Sequence, residues 1–137
     1  MIDFPEDYFK TEIRDGFEIT SMMKRAWAGQ MEVLQTIREI CERHNILWFA
    51  DYGTLLGAVR HKGFIPWDDD MDIGMTRDNL TKFIKYAKDE LPEEYRLLCM
   101  DLEPKYDSLI VRVVNSTSVS MDKERLDKFH GCPYVLG

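Results

Sequence analysis

Three scarcities in the sequence each remove a class of protein. Cysteine occurs three times, as Cys41, Cys99 and Cys132, an odd number without C-x-x-C spacing. That excludes a disulfide framework and leads us to expect a reducing, cytoplasmic setting. No apolar run approaches the roughly 18 residues of a membrane span, and the opening stretch mixes charges where a leader would need a basic start and an apolar centre. Basic residues are outnumbered, 18 against 25 acidic ones, for a formal charge of −7, so no sequence-independent grip on a nucleic-acid backbone is expected. Missing as well are the G-x-S-x-G elbow, the phosphate loop G-x-x-x-x-G-K-[ST] and the dinucleotide signature G-x-G-x-x-G.

What remains is material for a core. At 137 residues, 45% hydrophobic and 12% aromatic, the chain has room for one domain, and no repeat, low-complexity tract or linker divides residues 1–137. Residues 1–19 read as an irregular, mixed-charge lead-in. From a Thr20 or Ser21 cap, Met23, Ala26, Trp27, Met31, Leu34, Ile37 and Cys41 recur at spacings of three and four, one face of a long helix that Asn45 ends. Strands are expected at 46–50, through the second half of 68–75, at 95–100, at 109–114 and at 116–121. Helices are expected at 55–61 and from a Thr76 cap to Pro92. This order predicts an α/β fold with a mixed sheet flanked by helices.

Four carboxylates between Asp68 and Asp72 account for more than half of the net charge. On a strand, Asp70 and Asp72 would point to one face while Met71 and Ile73 pack behind them. Two like charges that close repel, and a hard cation with oxygen ligands relieves this; Mg²⁺, with Mn²⁺ as the substitute, characteristically takes one or two carboxylates plus substrate phosphates. The run also fits positions 1, 3 and 5 of a calcium loop, but Ile73 stands where that loop needs glycine and Asn79 where it needs glutamate.

Gly53-Thr54 follows a strand and opens a helix, a place where backbone N–H groups and the positive helix end suit a phosphate. Arg60, His61 and Lys62 close the same helix, either as solvated charges favoured by its dipole or as ligands for phosphate or nucleotide. Asp51, Asp68 and Asp69 flank the same pocket. Cys41-x-x-His44 and His130-x-Cys132 offer a four-ligand zinc set that no spacing compels.

The 26 residues from Phe49 to Gly74, FADYGTLLGAVRHKGFIPWDDDMDIG, closely resemble the signature of the LicD family. That family holds bacterial phosphorylcholine transferases and the more distant fukutin-related proteins, and the likeness extends more loosely over the preceding helix and the strands after Tyr95. The resemblance implies a nucleotidyltransferase-like fold, in which Gly53-Thr54 match the phosphate-holding turn and Asp70 and Asp72 the Mg²⁺ pair. It also implies a CDP-linked donor, such as CDP-choline, whose phosphorylated alcohol passes to a sugar hydroxyl of a cell-surface glycan (lipopolysaccharide, teichoic acid or capsule).

In one respect the chain departs from the pattern. A third carboxylate is expected just after a stretch similar to residues 130–137, where this sequence stops, leaving Asp101, Asp107 and Asp122 as candidates. The chain is therefore expected to be the N-terminal portion of a catalytic domain, with a sheet edge that could pair with another copy. The alternative is a non-catalytic module of the same fold that binds nucleotide or protein.

Overall fold

The computed structural model describes residues 1–134 and 137. Elements run in the order β1 (Glu12–Arg14), β2 (Phe17–Ile19), α1 (Ser21–Arg43), β3 (Phe49–Ala50), α2 (Tyr52–Arg60), β4 (Ile73–Gly74), α3 (Arg77–Glu90), β5 (Arg96–Leu98), β6 (Arg112–Val114) and α4 (Lys123–Lys128). The α/β class holds. In place of the expected single mixed sheet, the strands among the described residues form three two-stranded antiparallel pairs, β1 with β2, β3 with β4 and β5 with β6.

Helix α1 begins where its cap predicts, with Thr20 Oγ1 accepting from Met23 N at 3.2 Å. It ends at Asn45, whose φ of 52° lets Ile46 N return to Cys41 O at 2.9 Å. Val33, Ile37, Ile40 and Cys41 on its inner face pack against Phe83 and Ala87 of α3, and against Tyr95, Leu97, Val113 and Phe129. All three cysteines are free and buried. Burial pushes the Cys41 thiol up to about 11, far from a reactive thiolate.

Four expectations about elements are corrected. The lead-in contains the β1–β2 hairpin, turned by Asp15 (φ 52°) and Gly16 (φ 76°), a two-residue turn of the kind whose twist matches paired strands. Residues 116–121 form no strand, because the Ser116 hydroxyl bonds locally to Ser118 N and O and competes with a ladder. Helix α4 was not foreseen; Asp122 Oδ1 caps it by accepting from Glu124 N and Arg125 N. The expected strand through Asp70 and Asp72 shrinks to Ile73–Gly74, leaving both acids in the segment that leads into it.

Candidate active site

The site is built on β3, the start of α2 and the loop leading into β4. Phe49 pairs with Gly74 and Ala50 with Ile73, and Asp51 N prolongs the ladder by donating to Asp72 O at 3.0 Å. A side chain at position 74 would run into the Phe49 ring, so glycine lets the two strands close up. Asp51 then caps α2, its Oδ1 accepting from Tyr52 N at 2.9 Å. The helix therefore starts three residues earlier than its apolar pattern suggests, and Gly53 and Thr54 lie in its first turn. Tyr52, exposed, takes a left-handed φ of 42° to make the entry.

Thr54 joins this turn to the acidic segment, because its Oγ1 accepts from Asp72 N at 2.8 Å. Gly53 faces Asp68 so closely that a Cβ there would overlap the carboxylate. Gly53, Thr54, Asp68 and Asp70 line one cavity of about 200 Å³, together with apolar walls that include Phe64 and Met71. Oxygens of Asp68, Asp69 and Asp70 lie within 4.8 Å of one another. Asp70 is exposed on one side; partial desolvation first, and then the charges of Asp72, Asp68 and Asp69, raise its carboxyl above the ordinary value.

Of the residues expected to act, Gly53, Thr54, Asp68 and Asp70 meet at the cavity. Asp72 lies outside the three-carboxylate group, but it heads the charges acting on Asp70, and both of its main-chain polar groups are tied to the start of α2. Asp69 belongs to the acid group without lining the cavity, and Asp51 serves as helix cap.

Arg60, His61 and Lys62 fall at the opposite end of α2, roughly 10 Å along the axis from Gly53 at 1.5 Å per residue. His61 turns toward the hairpin, with Nε2 3.2 Å from Asp15 Oδ2 and Nδ1 accepting from Arg60 Nε at 3.2 Å. Lys62 Nζ donates to Val59 O at 2.9 Å. The zinc alternative is not assembled: His44 pairs with Glu90 and stacks on Tyr86, while His130 pairs with Glu32. Among the described residues the cluster with metal-ligand geometry is the acidic one alone.

Two residues read from the sequence as packing alone or passed over also touch the site. Trp27 Nε1 donates to Asp68 O at 2.9 Å and Gln30 Nε2 to Asp69 O at 2.5 Å. Their i, i+3 spacing puts both on one face of α1, which was a legible signal; the loop they face was not.

Comparison with known proteins follows the same segment. Residues 45–130, well over half of the chain, match the family described as LicD/FKTN/FKRP, nucleotidyltransferase domain. The chain belongs to the LicD family. Its relatives include the lipopolysaccharide cholinephosphotransferase LicD of Haemophilus influenzae, 43% identical over 67 residues, which are 49% of this chain and 25% of that protein. Uncharacterized proteins of Rickettsia typhi and Rickettsia prowazekii are 42% identical over 52 residues and 44% over 48. Those stretches are 38% and 35% of this chain and 17% and 18% of theirs. The matches thus span a quarter or less of the length of these relatives. No solved structure matches the chain.

Proposed function

We propose that the chain is a LicD-type, cation-dependent phosphotransferase domain that takes a phosphorylated alcohol, such as phosphocholine, from a CDP-linked donor and delivers it to a sugar hydroxyl of a cell-surface glycan. The meeting of Gly53, Thr54, Asp68 and Asp70 around one cavity, inside the segment that matches the family, carries the reading. The donor set suits Mg²⁺ or Mn²⁺: it offers carboxylate oxygens only, crowded enough to repel one another and to raise Asp70. Asp70 and Asp72, with Asp68 beside them, would hold the ion. Once bound, it supplies charge neutralisation for the diphosphate and the leaving CMP.

The chain's own residues bind and orient. The first turn of α2 directs its N–H groups and positive end at a phosphate, and Thr54 keeps that turn in register with the acids. Asp68, lying against Gly53, repels a bare phosphate from this turn, which is why the reading includes a cation. In the transfer, the acceptor oxygen forms the new bond to phosphorus as the bond to the CMP oxygen breaks. CMP leaves with the electron pair and the hydroxyl proton passes to a carboxylate or water.

A second reading, a module that binds nucleotide without turnover, is favoured by the placement of the candidate third carboxylates. Asp101 and Asp107 are exposed on loops, and Asp122 caps α4. Calorimetry with CDP-choline tests the shared core of both readings. Binding should require Mg²⁺ and disappear in Asp72→Asn with no loss of melting temperature, since the bonds of Asp72 among the described residues are made by its main-chain atoms. Undiminished binding in that variant overturns both, and CMP release in the presence of acceptor decides between them.

A further inference from the structure

The acidic segment is held from behind by a pair of buried donors. Trp27 is 3% exposed and lies flat on Phe64, with ring centroids 4.7 Å apart and planes 5° apart, so its indole N–H has one direction in which to point. That direction ends on the carbonyl of Asp68. One turn further along α1, Gln30, 5% exposed, gives its amide N–H to the carbonyl of the next residue, Asp69. Two successive carbonyls are thereby drawn toward α1, and the side chains of Asp68 and Asp69 take no part in the grip.

Gln30 carries a cost that packing does not explain. Its Oε1 is buried and meets no donor among the described residues, an arrangement that weakens a fold. A methionine would fill the same length without a polar atom to satisfy. What the amide contributes at this position is its donor.

We propose that Trp27 and Gln30 are positioning residues for the cation site, fixing the main chain of Asp68 and Asp69 so that the carboxylates of Asp68 and Asp70 are held at the cavity before any ion arrives. The proposal rests on the cation-binding reading above and adds two residues of α1 to it. The gain from such pre-organisation appears as affinity, because binding no longer has to order the loop.

Titration of the whole chain with Mn²⁺, followed by electron paramagnetic resonance, tests it on Trp27→Phe, Gln30→Met and Ile37→Val. Trp27→Phe keeps the stacking on Phe64 and removes the donor, and Gln30→Met keeps length and removes both polar atoms. Ile37→Val loosens the same helix at the core, away from the loop. We expect Mn²⁺ to bind at least tenfold more weakly in the first two variants and unchanged in the third, and Gln30→Met to melt no lower than the wild type. A merely structural role would instead weaken Mn²⁺ in step with the melting temperature, in Ile37→Val as well. Wild-type protein that binds Mn²⁺ alongside Gln30→Met within twofold of it overturns the positioning role alone. Wild-type protein that binds no Mn²⁺ overturns the cation reading and this proposal with it. Should Trp27→Phe fail to fold, Gln30→Met decides.

Discussion

The hydroxyl of Thr54 accepts a hydrogen bond from the main-chain N–H of Asp72, 2.8 Å away across 18 positions of sequence. A side chain expected to serve a phosphate thus also splices the phosphate-side turn to the acid-side segment. Thr54→Val removes the acceptor and leaves a partly buried N–H without a partner, which should cost about 1–2 kcal/mol. Thr54→Ser should recover most of that. Urea unfolding of the two variants checks the order.

Gly53→Ala should act through Asp68. The added methyl has to displace the carboxylate, so the single variant should lose both stability and Mn²⁺ affinity. In an Asp68→Ala background the same substitution loses that clash and should be close to neutral for stability. A double-mutant cycle by thermal melting reads the coupling; additive losses would mean the two positions do not touch.

Asp70 predicts a pH dependence. Partial desolvation and the neighbouring charges place its folded-state pKa above the unfolded one. Its ionised form therefore weakens the cation-free fold at pH above the folded pKa, and the weakening fades as pH falls through that value. Asp70→Asn should be more stable than the wild type at neutral pH, with the advantage closing toward acid, and should bind no Mg²⁺. Melting curves across a pH series without divalent cation test the sign.

Lys62 holds φ at 58° at the end of α2, exposed, with Nζ bonded to a carbonyl of its own helix. Lys62→Gly should stabilise the protein by about 0.5–1 kcal/mol by relieving the left-handed conformation. Calorimetry on this variant also separates the roles of the two ends of α2. Donor affinity that holds steady assigns phosphate binding to the Gly53 end.

Much of this was legible in the sequence where a local rule decides the outcome. Thr20, Asn45 and Thr76 each end or begin a helix through their own side-chain or backbone preference, and all three stand where expected. The hairpin at Asp15-Gly16 had a turn signal, but its strands are three residues each, too short for alternation to show. Asp70 and Asp72 alternate with apolar residues as a strand would. Yet four carboxylates within five residues repel one another, and pairing begins only at Ile73 with Asp72 lending its carbonyl. The service of Trp27 and Gln30 to a loop some 40 residues away depends on tertiary contact that no local pattern encodes.

Trp27 gives the acid loop an optical reporter. Its ring is buried on Phe64 while its N–H ends on Asp68, whereas Trp67 is exposed and Trp48 half-buried. With phenylalanine at 48 and 67, the remaining indole fluorescence would come from the one ring bonded to the loop. A shift in its emission on adding a cation or nucleotide would record the movement of a single carbonyl group.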